Sequence, residues 1–457
     1  MSDLDGLIVL QCPLRYRLTV APRDDGPGTG FTQGEGEAEG RLLKETLEVW
    51  PVLGEPLSVS YREIIEIQEG DYRFKVILGD GQMLELSEMG YRYEDFLENL
   101  IRLRNELRLS DMLMDESVIV PRIAGRFREV DQAQGYSGDC SVRLYERALV
   151  IIPRVSDPVR IPLTFISQVS EIDYALRVDT QFGQSYVFSQ MGEGLDLLKR
   201  SLSKALNDMR SRAMSICRDI LPNAPAKTLW ALAKHMEEGK AARKRDISAI
   251  STTFWSQMEK RLASSDIWDS YEHLKSLSID HEMCIGFKRG LMPRREEDDY
   301  LWFLAPIAGD GTRGGNALAM EATLSLGSGR ATYFFRIMSR GEFRVADNER
   351  LLDEVRRAIE IVSRSMIDIN FRREPIYLPY DRLLEPRYAR YLSALDLLPS
   401  LRVLRNLFIG RVPHVTPEQW KKDVEALLAF NVRVAGDDEK WQRTKGGHVE
   451  DYDEVLE

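Results

Sequence analysis

The sequence predicts an α+β protein: two tandem antiparallel β-sandwich or β-barrel modules, each closed by a C-terminal helix, followed by helical and α+β C-terminal regions. One observation predicts the tandem. Leu47–Gly90 lies without a gap over Leu149–Gly192, a shift of 102 positions, the step from Pro51 to Pro153. A second predicts the class: in each copy, short runs of alternating polarity give way to apolar residues at helical spacing.

The matched positions are of types that carry structure. Pro51/Pro153, Pro56/Pro158, Gly81/Gly183 and Gly90/Gly192 fix turns, and Ile64/Ile166 and Val76/Val178 are apolar strand positions. Asp71-Tyr72/Asp173-Tyr174, Gln82/Gln184, Ser87/Ser189 and Met89/Met191 are identical as well. The match continues upstream through Gly36/Gly138 and Arg41-Leu42/Arg143-Leu144, and downstream through Asn105/Asn207 and Arg108/Arg210. Average composition gives roughly four chance identities over a stretch of this size. A period of about 100 residues is a whole small domain, not a solenoid unit. Trp50 against Ile152, Lys75 against Arg177, Gly79-Asp80 against Gln181-Phe182 and Glu85 against Val187 mark strand faces and hairpin tips that have diverged. The copies are therefore expected to share a fold and not a ligand.

In chain order, Leu7–Leu10 reads as a strand and Asp24–Gly36 as a polar, glycine-rich loop. The first copy places strands at Arg41–Trp50, Pro56–Tyr61, Tyr72–Leu78 and Met83–Leu86, after which Phe96, Leu97, Leu100, Leu103 and Leu107 share one helix face. The second repeats this at Val142–Pro153, Val159–Ile166, Ala175–Thr180 and Ser185–Phe188, with Leu195, Leu198, Leu202 and Leu206 on its closing helix. Domain limits of 1–110 and 111–212 follow.

Antiparallel strands followed by one amphipathic helix resemble the pleckstrin-homology (PH-like) superfold over roughly residues 1–210. The resemblance implies a bent sheet sandwich plugged at one corner by the helix. It does not bring lipid binding with it. Phosphoinositide-binding members carry clustered Lys and Arg in and after the first hairpin, where this chain has acidic, glycine-rich 24–36 and, in the second copy, Asp131–Asp139.

From Ser211 the pattern turns helical. A helical linker region, 213–278, holds Lys227–Glu238, Ile247–Ala263 and Ser265–Leu277, with Trp230, Phe254, Trp255 and Trp268 read as packing residues. An α+β domain, 279–372, has strands at Glu282–Phe287, Tyr300–Ile307, Ala317–Leu326 and Ala331–Met338, then a helix, Asn348–Ile369. A C-terminal helical region, 373–435, ends on Pro417–Ala429, for which Thr416 is a good N-cap, Pro417 suits the first position and Gln419 stands where a capping-box partner belongs. Residues 436–457 read as a flexible acidic tail.

At 457 residues, 43% apolar and 30% charged, the chain is long enough for about three domains with unstapled cores. Its net charge of −11 argues against nucleic acid as a partner, since nonspecific affinity needs a basic surface. Cys12, Cys140, Cys217 and Cys284 form no CxxC pair and read as buried free thiols of a reducing, cytoplasmic compartment. The run before Cys12 is too short and too acidic upstream for a signal segment. No stretch approaches the roughly 20 apolar residues of a bilayer span.

Candidate chemistry is sparse. His235, His273, His281, His414 and His448 form no ligand pattern, so no metal, no catalytic residue and no cofactor is predicted. His281-Glu282 beside Cys284 is one cluster, read as an ordinary strand edge. Gly309–Asn316 (GDGTRGGN) has the composition to cradle a phosphate or nucleotide with backbone amides, with Arg313 and Arg330 as anion ligands. It lies between two predicted strands instead of at a helix N-terminus, which favours a mobile hairpin loop. Lys240, Arg243, Lys244 and Arg245 form a basic cluster suited to an acidic partner or a membrane, or to a solvated helix face.

The leading expectation is a non-catalytic adaptor or scaffold that binds protein partners through its tandem modules, whose sheet edges accept extended peptides. Tandem PH-like pairs are also found in histone chaperones, where an acidic balance fits a basic partner. The alternatives are a nucleotide- or phosphate-binding enzyme with its site around Gly309–Asn316, and a peripheral membrane-associated protein using the Lys240–Arg245 cations.

Overall fold

The 102-residue repeat is written into the backbone. The computed structural model describes residues 7–20, 31–112, 116–130, 137–154, 156–289, 299–309, 314–322 and 331–433, and the chain divides into two compact units, Met1–Leu202 and Ser203–Glu457. The first unit opens with β1 (Leu10–Val20), β2 (Phe31–Leu42), β3 (Thr46–Pro51), β4 (Leu57–Ser60), β5 (Ile64–Gly70), β6 (Arg73–Leu78) and β7 (Gln82–Ser87), then α1 (Tyr93–Asp111). It continues with β8 (Val118–Val130), β9 (Ser137–Tyr145), β10 (Ala148–Pro153), β11 (Val159–Pro162), β12 (Ile166–Ile172), β13 (Ala175–Thr180) and β14 (Ser185–Ser189), then α2 (Gly194–Ile220), within which the unit boundary falls.

Both sets form antiparallel seven-stranded sheets with one topology, β4-β3-β2-β1-β7-β6-β5 and β11-β10-β9-β8-β14-β13-β12. From β3 to β6 the strand limits match those of β10 to β13 at the 102 step. A register shift recurs at Ile64/Glu66 and Ile166/Gln168. Left-handed backbone recurs at Tyr72/Tyr174, Gly81/Gly183, Glu88/Gln190 and Gly90/Gly192.

Each module therefore has seven strands, where patterning alone predicts five in the first and four in the second; the strand predicted at Leu7–Leu10 instead begins at Leu10 and runs on to Val20. The largest difference is β2, whose first residues, 31–36, fall in the acidic, glycine-rich stretch predicted as a loop; 24–30 of that stretch lie outside the described residues. β2 is paired on both sides, by β1 and β3, and its glycines make room for β1: a Cβ at Gly40 would sit 2.4 Å from Leu14 Cδ2. The missing side chains that suppress the strand signal are what lets the two strands lie close. Arg41–Trp50 is not one strand but the end of β2, a turn and β3.

All five residues predicted on the α1 face are buried, and with Leu14, Val49, Phe74, Val76, Leu84 and Leu86 they form the first core. Full burial of each such side chain contributes about 1.5–3 kcal/mol. The end of α1 has a second neighbour: Leu109 packs with Tyr145, Ala148, Val150 and Ile152 of the second module. Arg104, 2% exposed, donates to Ile64 O (3.1 Å), Ile65 O (3.2 Å) and Asp157 Oδ1 (2.7 Å). One helix thus seals one sheet and is bonded to the other.

The second unit has one six-stranded antiparallel sheet in sequential order, β15 (Ala241–Arg243), β16 (Cys284–Arg289), β17 (Asp299–Ile307), β18 (Ala317–Ala322), β19 (Ala331–Arg336) and β20 (Phe408–Pro413). Its helices are α3 (Ala226–His235), α4 (Lys244–Ile250), α5 (Phe254–Leu262), α6 (Trp268–Leu277), α7 (Arg340–Val345), α8 (Asn348–Asp368), α9 (Glu374–Tyr377), α10 (Tyr380–Leu383), α11 (Ala389–Leu397), α12 (Pro399–Leu407) and α13 (Pro417–Val432). The four predicted central strands and α8 are present, and the 327–329 turn lies outside the described residues, as does the 436–457 tail. Both edge strands differ from expectation: β15 falls in a stretch read as helical, and β20 follows a helix with no alternation to announce it. Thr416 caps α13 as predicted, accepting from Gln419 N at 3.2 Å, but the Gln419 side chain donates to Asp423 instead of closing a capping box.

Phe254 and Trp255 are core residues, whereas Trp230 is 61% exposed and packs little. The four cysteines are free and buried, and burial pushes the Cys140 and Cys217 thiols up to about 12. Among the described residues no helix is long and apolar enough to cross a membrane.

Arg104→Ala would strip the carbonyls of Ile64 and Ile65 of a buried donor. We expect the full chain to lose about 2–4 kcal/mol in urea denaturation, while exposed Arg102→Ala changes stability by under about 0.5 kcal/mol.

Candidate functional site

The predicted basic cluster is already engaged. Lys240 bonds Glu237, Arg243 Nε reaches Asp246 at 2.8 Å, Lys244 Nζ reaches both oxygens of Asp280 at 2.6 and 2.5 Å, and Arg245 Nη1 reaches Glu282 Oε1 at 3.2 Å. Glu282 is fully buried at the end of the short turn before β16. Its Oε1 also takes Arg356 Nη2 at 3.5 Å, and its Oε2 faces Arg243 Nη1 at 3.8 Å, too far for a hydrogen bond. These cations straddle β15 and the start of α4, where they neutralise buried and half-buried carboxylates. Cys284 beside them is fully buried, and burial holds its thiol protonated.

Arg313 and Arg330 lie outside the described residues, as does 310–313 of the glycine loop. The described end of that loop is a packing feature. A Cβ on Gly314 would stand 2.3 Å from the carbonyl carbon of Leu428 in α13, and one on Gly315 would stand 2.1 Å from Ala308 O. Asn316 adopts left-handed backbone, and its side chain both donates to Met338 O (2.8 Å) and accepts from Met338 N (3.1 Å). Asn431 of α13 donates to Gly315 O (3.0 Å) and Asn316 O (2.6 Å), and Arg336 and Arg340 hold Asn431 in turn. Asn431 carries no sequence signal, being one polar residue near a helix end.

A chain of buried polar groups lies across β18, β19 and β20. Register pairs Met320 with Tyr333 and Ala331 with Pro413, so Glu321, Thr332 and His414 come to neighbouring positions at one end of three adjacent strands. Trp420 Nε1 donates to Thr332 Oγ1 (3.1 Å), Thr332 Oγ1 donates to Glu321 Oε2 (2.5 Å), and His414 Nε2 meets the same oxygen at 2.8 Å. Ser270 Oγ of α6 lies 3.4 Å from His414 Nδ1, and the Trp420 ring stacks on the imidazole at 5.1 Å. Hydroxyl, imidazole and carboxylate stand in the order of a proton relay. Ser270 and Glu321 are 5% and 2% exposed, however, and a buried network with its donors and acceptors matched rigidifies a core. The available sequence signal was Glu321 itself, a carboxylate in the otherwise apolar strand ALAMEA.

In the first unit the candidate features are on the surface. Residues 1–202 carry 34 Asp and Glu against 22 Lys and Arg, while residues 203–457 carry 39 against 40. The acidity of the chain belongs to the tandem modules. Their hairpin tips expose large side chains: Val52 and Leu53 at 73% and 89%, Tyr72 and Tyr174 at 77% and 90%. The two tyrosines occupy equivalent left-handed positions, which tight hairpins ordinarily give to Gly or Asn. Among the described residues no group of three or more His, Cys, Asp or Glu could hold a metal ion. No family model and no curated protein matches the chain.

Two substitutions separate these roles. Gly314→Ala should destabilise the chain by about 2 kcal/mol or more through backbone overlap with α13, and Gly341→Ala, with open space around its Cβ position, should be near neutral. Glu321→Ala removes the carboxylate that Thr332 and His414 share, leaving the Thr332 hydroxyl proton and His414 Nε2 only each other at 3.2 Å, and a loss of about 2–3 kcal/mol in chemical denaturation is expected.

Proposed function

We propose that the chain is a non-catalytic adaptor whose tandem PH-like modules bind protein partners, and that the segment they take is basic. The observation that carries this is the segregation of charge: all of the net acidity resides in residues 1–202. The outward face of β2 and β3 bears Glu35, Glu37, Glu39 and Glu48 around half-exposed Trp50; Glu35 pairs with Arg17 and Glu39 with Arg41 at exposed or half-exposed, exchangeable positions, and Glu48 accepts from the Trp50 indole. Acidic side chains around an exposed aromatic ring suit Lys and Arg, which combine ion pairing with cation–π contact. Arg41 already makes such a contact, 4.6 Å above the Trp50 ring. The PH-like reading is supported by seven strands and a closing helix, repeated with one strand order. The nucleotide reading is weakened because Gly314 and Gly315 serve close packing, and the membrane reading because the 240–245 cations have carboxylate partners.

Fluorescence polarisation with the full chain tests the proposal. A lysine-rich peptide is expected to bind, with affinity falling at least about tenfold between about 50 mM and about 500 mM salt, while its glutamate-substituted counterpart does not bind. Glu37→Lys with Glu39→Lys should weaken binding further. Equal binding of both peptides, or of neither, overturns it.

A further inference from the structure

Within the first unit, the β10–β11 hairpin of the second module is seated between β5 and α1 of the first. Arg154, directly after β10, donates from Nε to Glu69 Oε1 on β5 at 2.8 Å and from Nη1 to Glu98 on α1. Asp157 accepts from Arg104 Nη2 at 2.7 Å, and Pro153 O accepts from Asn105 Nδ2 at 3.4 Å. A key from one module thus fills a cleft of the other.

The repeat supplies the same two parts once more, and leaves both exposed. At the 102 step, the β3–β4 hairpin is the equivalent key, with Val52 for Arg154 and Glu55 for Asp157. The equivalent cleft lies between β12 and the first turns of α2, with Glu171 for Glu69 and Arg200 for Glu98. Lys199 bonds Glu171 there, so strand and helix approach one another as they do around Arg154.

The chemistry of the second pair has changed on both sides together. The key presents Val52 in place of Arg154, beside Leu53, whose equivalent Val155 is also apolar, while Glu55 keeps the charge of Asp157. The cleft presents Ile172 where the first has Gly70, and Leu197 where the first has Asp95, each 46% exposed. Inside the chain the match rests on Arg154 with Glu69 and Glu98; at its two ends the key offers exposed Val52 and Leu53, and the cleft offers exposed Ile172 and Leu197 beside the Lys199–Glu171 pair.

We propose that the β3–β4 hairpin of one copy docks between β12 and α2 of a second copy, repeating head to tail the contact that joins the two modules. Such a contact uses different patches on the two copies, so it generates a ring or a filament and not a two-fold dimer. It goes beyond partner binding by an adaptor, since it makes the adaptor multivalent.

Sedimentation velocity on the full chain tests this between about 5 and about 200 μM, a span suited to a small interface. Wild type should grow with concentration beyond a dimer. Leu53→Glu and Leu197→Glu, both at exposed positions, should keep the wild-type melting temperature and each weaken association by at least about tenfold. Mixed together, the two variants should form a 1:1 dimer and nothing larger, because one retains the cleft and the other the hairpin. A wild type that is monomeric throughout, a Leu53→Glu chain that assembles like wild type, or a mixture without dimer would each overturn the proposal.

Discussion

A guanidinium that is 2% exposed must be surrounded by acceptors, and Arg104 finds them on three elements at once: the carbonyls of Ile64 and Ile65 where β5 begins, Asn105 beside it on α1, and Asp157 from the second module. Burial pushes this group below its ordinary pKa against the pull of Asp157. Charge retained under those conditions requires the acceptors to stay in place. Arg108 adds bonds to Arg62 O and Ile64 O, and Arg62 pairs through two nitrogens with Asp111 at the end of α1. The helix therefore fixes where the first sheet turns from β4 into β5 and where the second module attaches. Two duplicated domains on a string would not need these bonds.

The second unit uses buried polar groups to similar effect within one sheet. β18 and β19 are almost entirely buried, and uniformly apolar strands specify register weakly. Glu321 and Thr332 mark one register, because only there do the carboxylate, the hydroxyl, His414 and the Trp420 indole meet. The edge strand β20, which returns only after α7 to α12, is thereby tied to the strand it pairs with and to the helix that follows it.

How much of this was legible follows from which forces leave a periodic trace. The duplication was legible because Pro51, Gly81, Gly90 and their equivalents fix turns, and the α1 face because helical spacing is forced by packing against a sheet. β2 was hidden by its own glycines, β15 by brevity, at three residues, and β20 by the absence of alternation in Phe408–Pro413. The Glu321 network was not legible as a site. It joins five residues, from β18, β19, α6, α13 and the turn after β20, and only strand register and the chain's return at β20 bring them together. The identical tyrosines, Tyr72 and Tyr174, were legible as repeats but not as exposed groups, because a turn position and a core position look alike in an alignment of two copies.

The divergence between the two key-and-cleft pairs has a physical reason. Arg154 meets Glu69 and Glu98 inside one chain, where the tether supplies an effective concentration of about millimolar or more. Half-exposed ion pairs of this kind contribute only about 0–1 kcal/mol each, yet under such a tether that suffices to select one orientation, with Leu109 and Arg104 supplying the packing. The same surfaces at the ends of the tandem have no tether. Contact between separate copies must offset the lost translational and rotational freedom of association, which exposed ion pairs cannot do in salt. Burial of Val52 and Leu53 against Ile172 and Leu197 can, because desolvation of apolar surface is nearly indifferent to screening. One backbone geometry, used within the molecule and proposed between molecules, can rely on ion pairs where the chain tethers it and needs added hydrocarbon where nothing does.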